Sequence, residues 1–180
     1  MRKVLYILGL LADEDIDWLS ANGIRQSVAP GSYIVRQGKP IEALYLLVEG
    51  TLVVSVERPV ARDFSKLALG EIVGELSFVD SRPASASVRG EGTCLVLRIP
   101  RPVLQAKLKG DVRFAARFYQ ALAIFLAQRL RRQTLGGLGF TGDDLDEESE
   151  SADELSPEAL ENLALAGARG DWILQRLKAR

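Results

Sequence analysis

Histidine is absent from this chain of 180 residues, and Cys94 is its only cysteine. Without a second cysteine no disulfide forms within the chain, and without histidine most zinc arrangements are lost too. The missing imidazole also removes the usual general base of nucleophilic catalysis. Cys94 stands in the apolar run TCLVLRI and reads as a small buried core residue. No G-x-S-x-G elbow and no G-x-x-x-x-G-K phosphate loop occurs. Long hydrophobic runs are also missing. The best candidate, Val4 to Ala12 after Arg2 and Lys3, is too short to span a bilayer. It lacks a small-x-small cleavage site and runs straight into acidic residues, so it reads as an N-terminal helix packed on the domain. The expectation is a cytoplasmic protein with no membrane span, no metal ligands and no catalytic residues.

What is present suits one sizeable core with a tail. Hydrophobic residues make up 47% and charged residues 26%, which leaves enough apolar surface to bury. The charge is unevenly spread. Residues 1–135 carry 19 Lys/Arg against 13 Asp/Glu, and residues 136–180 carry 4 against 11. A mildly basic body thus joins an acidic tail, which argues against DNA binding through that end.

The segment LADEDIDWLSANG reads as a short helix, with Asp13 as its cap, Ile16 and Leu19 on one face, and Gly23 at its end. From Ile24 the texture changes to short β-rich runs punctuated by APG, QGKP and EG. Turn signals at such spacing belong to an all-β sandwich or barrel. Gly31, Gly38, Gly50, Gly70 and Gly74 all fall at expected turns, where positive φ favours glycine. The period then switches to helical. PRPVLQAKL is a short helix, and residues 111–133 form a long one with Asp111 as N-cap. Arg129, Arg131 and Arg132 are read as cations for its C-terminal dipole. Phe114, Phe118, Ala121 and Phe125 make one seam, widened by Ala115, Leu122 and Leu126. So broad an apolar face suits either a single core or a core plus a second copy of the chain, hence a homodimer through residues 111–133.

Eight of the twelve residues from Asp143 to Glu154 are acidic, the composition of a self-repelling linker. Helix signals return with Ser156 as N-cap and Pro157 at the first helical position. Gly167 and Gly170 interrupt them, and Asp171 caps a last turn bearing Trp172, Ile173 and Leu177. These three suit docking on the chain's own domain or on a protein partner, through residues 156–180. The expected organisation is a domain over 1–135, a linker over 136–155 and a helical segment over 156–180.

Two tempting motifs fail on context. GLGFTG, Gly137 to Gly142, follows a helix instead of a strand, and Asp143 and Asp144 would repel a pyrophosphate. Asp144, Asp146, Glu148 and Glu150 alternate like a calcium loop but lack its sixth-position glycine and twelfth-position glutamate.

The stretch GEIVGELSFVDSRPASASV, Gly70 to Val88, remains. Taken with LYLLVEG before it and two helices after it, it resembles the cyclic nucleotide-binding domain family over roughly residues 8–133. The resemblance implies a mainly β fold with flanking helices, a jelly-roll-like β-barrel followed by a short and a long C-terminal helix. It also implies a phosphate-binding cassette. Gly74-Glu75-Leu76 matches the cassette's Gly-Glu-Leu, whose glutamate accepts the ribose 2′-hydroxyl. Leu76 to Val79, Ser77 included, would form the short cassette helix with its N–H groups toward the phosphate. Ser85 matches the small residue that reaches the phosphate or base, and Ala86, Ser87 and Val88 match the strand that follows.

One position departs from the family pattern. The phosphate-pairing arginine usually stands ten residues after the cassette glycine, and here that residue is Ala84. Arg82 curling back, or Arg89 reaching in from the strand, would be the replacements. Two readings follow. One is a non-enzymatic regulatory module that senses cAMP or cGMP weakly and needs no cofactor. The other is a ligand-independent interaction module on the same fold, with partners bound through its helices. In catabolite-activator-type relatives a DNA-binding domain follows the long helix, and the roughly 45 residues left here do not suit one.

Overall fold

The computed structural model describes residues 9–57, 62–137 and 172–178. Its elements are α1 (Asp13–Asn22), β1 (Ile24–Val28), β2 (Tyr33–Val35), β3 (Ala43–Glu49), β4 (Leu52–Val56), β5 (Arg62–Leu67) and β6 (Ile72–Val73). Then come α2 (Glu75–Asp80), β7 (Ser87–Gly90), β8 (Cys94–Pro100), α3 (Arg101–Gly110) and α4 (Val112–Gly137). A last helix, α5, covers 172–178. The mainly β fold with flanking helices is therefore as expected. The acidic run, Ser156, Pro157, Gly167, Gly170, Asp171 and residues 1–8 lie outside the described residues.

The strands form two four-stranded antiparallel sheets, ordered β1-β8-β3-β6 and β2-β7-β4-β5. β3 explains how they stack. Ala43, Tyr45 and Leu47 join a core between the sheets, with Val54, Val88 and Val96. Leu44, Leu46 and Val48 point to the other face and join a second core with the helices. A strand apolar on both faces must be covered on both sides, and β3 is. Cys94 is buried in the inter-sheet core, as its apolar run implied. β5 instead leaves Arg62, Asp63 and Lys66 exposed, which blunts an edge strand against pairing with other chains.

The five turn glycines all adopt positive φ, from 73° to 95°. Gly23 differs. It does end α1, but with φ −82°, so left-handed freedom is not its role. A Cβ there would lie 2.6 Å from the Leu97 side chain, so the position is glycine because α1 meets the sheet at close range. The cap of α1 also differs from expectation. Asp13 is already inside the helix, and Asp15 Oδ2 accepts the Ala12 N–H at 2.8 Å. This is the returning half of a capping box; Ala12 has no side-chain oxygen to supply the other half.

Asp111 caps α4 as read, its Oδ1 accepting the Phe114 N–H at 2.9 Å. The seam of Phe114, Phe118, Ala121, Leu122 and Phe125 is buried against the sheet, with Ala115 and Leu126 partly so. Buried Asp15 holds this helix to α1, taking Arg117 Nε at 2.6 Å and a second guanidinium nitrogen at 2.8 Å. α4 runs on to Gly137, so Arg129 and Arg131 are not at its C-terminus. The dipole reading of Arg129 is therefore corrected: its guanidinium turns to Glu75 instead.

Candidate ligand-binding site

The two Gly-Glu pairs do different work. At the first, Gly70 turns the chain and Glu71 takes the Ala68 N–H at 3.2 Å, closing the approach to β6. At the second, β6 ends on Gly74 with φ 95°. A Cβ at 74 would lie 2.9 Å from the Ala43 carbonyl and 3.2 Å from the Ile41 side chain. Only glycine meets both demands. α2 starts at once with Glu75, and its far end is tied to the start of α3. Arg101 donates to the Ser77 carbonyl at 2.9 Å and to Ser81 Oγ at 2.8 Å. Sequence reasoning passed over Arg101; its place at the first residue of a helix gave no sign of this reach.

Between α2, the 84–86 segment and α4 lies a cleft with a cavity volume of about 60 Å³, partly open to solvent. That is well below the roughly 300–1,000 Å³ typical of small-molecule sites, so the cleft is narrow. Gly74, Glu75, Leu76, Ser77, Ala84, Ser85 and Ala86 all line it, so seven of the sequence-named residues come together. The eighth, Arg82, does not. Its side chain is 84% exposed, pairs with Asp80 at 3.6 Å, and lies outside the lining. Arg89 is also committed elsewhere, donating to both Asp63 oxygens at 2.7 and 2.9 Å. Neither arginine lines the cleft.

Ala84 itself is nearly buried, at 5% exposure. The turn after β2 pins its backbone, with Gly38 N–H on its carbonyl at 2.8 Å and its own N–H on the Lys39 carbonyl at 2.9 Å. Much of the remaining wall is aliphatic, including Val35, Ile41, Val54, Leu67, Val73 and Val88.

Arg129 is the one cation among the described lining residues, and it pairs with Glu75. Glu75 is 3% exposed. Burial pushes its carboxyl above the usual carboxylate range, while Arg129 and the N–H groups of Glu75 and Gly74 pull it part of the way back. The lining therefore carries no uncompensated charge. Sequence reasoning missed this role for Arg129. The available signal was its spacing, four residues beyond Phe125 on the seam that faces the sheet.

Known proteins share this fold. The family model for "Cyclic nucleotide-binding domain" matches residues 25–111. Residues 25–111 belong to the cyclic nucleotide-binding domain family. Among curated relatives, the cAMP-dependent protein kinase type II regulatory subunit of Drosophila melanogaster is 34% identical over 70 residues, 38% of this chain and 19% of that protein. An uncharacterized NTE family protein of Mycobacterium tuberculosis is 25% identical over 142 residues, 76% of this chain and 24% of that protein. The crystal structure of Thermus thermophilus Catabolite Activator Protein superposes with a TM-score of 0.59 at 29% identity, covering 70% of this chain and 58% of that one. The chain spans about a fifth of the first of those curated relatives and about a quarter of the second. Gly74, Glu75, Ser77, Ala84, Ser85 and Ala86 thus lie around one cleft in a chain similar to this family. No helix among the described residues is long and apolar enough to cross a membrane.

Proposed function

We propose that this cyclic nucleotide-binding domain is a non-enzymatic regulatory module whose cleft takes cAMP or cGMP only weakly. The observation that carries this is Ala84, nearly buried in the cleft wall where a phosphate-pairing cation would be expected, with Arg82 and Arg89 engaged elsewhere. Losing one partner of a buried ion pair costs about 3–5 kcal/mol, or roughly 10²- to 10⁴-fold in affinity. A micromolar site then becomes a millimolar one.

The Glu75–Arg129 pair weakens the site further and gives it a regulatory output. A ribose hydroxyl that donates to Glu75 competes with the Arg129 guanidinium for the same carboxylate. Binding therefore bears on α4, the helix that carries Arg129. Ligand affinity and the position of α4 are linked to the extent that they share this contact.

α4 also supports self-association. Val112 is 79% exposed and Tyr119 50% exposed on the side away from the seam. A second α4 laid against that side would bury both. The absence of histidine and the burial of Cys94 support a role in binding and not in catalysis, and the acidic tail speaks against DNA as a partner.

The test is calorimetry with cAMP and cGMP on the wild-type protein and on Ala84→Arg. Weak or undetectable binding that tightens in the variant supports the reading. A micromolar wild-type dissociation constant overturns it.

A further inference from the structure

Among the described residues the tail helix α5 covers 172–178, and a helix in a protein draws most of its stability from packing. Its surroundings account for it. Ile173 and Leu177, one turn apart, are both 0% exposed and lie in the same buried cluster as Ile16 and Leu19 of α1. The closing carbonyls have donors: Ser20 Oγ on Arg176 O at 3.0 Å, and the Arg25 guanidinium on Lys178 O at 3.2 Å. The side chains meet acidic partners, Arg176 on Asp17 at 2.6 Å and Lys178 on Glu49 at 3.6 Å. An apolar pair at i and i+4, an acidic rim and a donor pair for the C-terminal carbonyls together define a receptor for one kind of helix.

We propose that the face built by α1, the start of β1 and the end of β3 is a docking groove for short basic amphipathic helices. The chain's own tail is its resident and exchangeable occupant. Residues 138–171 join the tail to the body, and 34 residues reach at most about 110–120 Å. A covalently attached occupant competes at an effective concentration set by its connection, on the order of millimolar or below. A partner helix carrying the same apolar pair and flanking Arg/Lys then competes with a tethered ligand. Asp17 and Glu49 select against acidic helices. The groove lies on elements that do not line the cleft, so it stands apart from the nucleotide reading.

The test uses the full chain and a labelled peptide of residues 171–180, DWILQRLKAR. In the double variant Ile173→Asp/Leu177→Asp the groove loses its occupant. Fluorescence anisotropy should show the peptide binding this variant at least tenfold more tightly than the wild type. A peptide carrying Arg176→Asp should bind about threefold to fivefold more weakly, and Asp17→Arg in the protein should restore it. Equal affinity for both proteins, or no binding to a double variant that melts cooperatively, overturns the proposal. Should the double variant not fold, hydrogen exchange on Asp17→Arg decides. The amides of residues 172–178 should exchange faster, and Asp17→Arg/Arg176→Asp should slow them again. Unchanged exchange in Asp17→Arg contradicts the groove.

Discussion

Arg129, from α4, donates to the carboxylate of Glu75, 54 residues earlier at the head of α2, and the two together close one side of the cleft. A carboxylate that is 3% exposed would be costly in its charged form without such a partner. Among the described lining residues the pair leaves neither charge without a partner.

This relationship has a titration signature. Burial holds the Glu75 midpoint above the usual carboxylate value and Arg129 lowers it. Arg129→Gln should therefore raise the midpoint further, as read by carbon-detected NMR of the Glu75 carboxyl. A midpoint that falls in the variant would show that the guanidinium does not face the carboxylate. The stability consequence has a definite sign. A carboxyl with a raised folded pKa binds more protons folded than unfolded, so stability falls as pH rises from about 4.3 through the folded midpoint. Glu75→Gln should flatten that part of the pH–stability curve.

The Asp15–Arg117 contact makes a separate prediction. Asp15 is 2% exposed, takes two guanidinium bonds and caps α1. Asp15→Ala should cost about 2–4 kcal/mol in denaturant unfolding, less than a fully enclosed pair because Arg117 keeps some solvent. Asp15→Asn retains an acceptor for the Ala12 N–H and should cost less. Equal losses in the two variants would remove the capping role.

Two glycines separate conformation from crowding. Gly31 has φ 73° and nothing within 4 Å of the place a Cβ would take, whereas Gly74 combines φ 95° with a carbonyl at 2.9 Å. Gly31→Ala should cost about 1–2 kcal/mol, the left-handed penalty alone. Gly74→Ala should cost more and disturb the cleft, seen as shifts around Ile41 and Ala43. A milder effect at 74 than at 31 would mean the close approach is not real.

Much of this was legible from the residues. Apolar runs bounded by glycine turns placed the strands, because positive φ is cheap only there. Gly74, Glu75 and the small residues at 84–86 were singled out by the family resemblance, and the fold brings them to one cleft. Less legible was what depended on long side chains crossing between elements. Arg129 read as a dipole cation because sequence gives helix position but not which way a long guanidinium reaches. Arg101 and the buried Asp15–Arg117 pair were hidden for the same reason. Arg82 misled by proximity in sequence: two residues from position 84, it stays outside the cleft lining and meets Asp80.

The exposed side of α4 yields a prediction about assembly. If Val112 and Tyr119 meet a second copy, light scattering should give a dimer mass for the wild type. Val112→Lys/Tyr119→Lys should shift it to monomer without lowering the melting temperature of the isolated fold. A wild-type monomer at high protein concentration would remove self-association from the account.

The measurement that bears most directly on the central claim is the affinity of wild type and Ala84→Arg for cAMP, taken side by side by calorimetry. The expected result is a wild-type dissociation constant near or above the millimolar range and a gain of at least about tenfold in the variant, since one tenfold step is only about 1.4 kcal/mol of the missing ion pair. Micromolar binding by the wild-type protein would contradict the claim that Ala84 leaves the phosphate without its counter-charge.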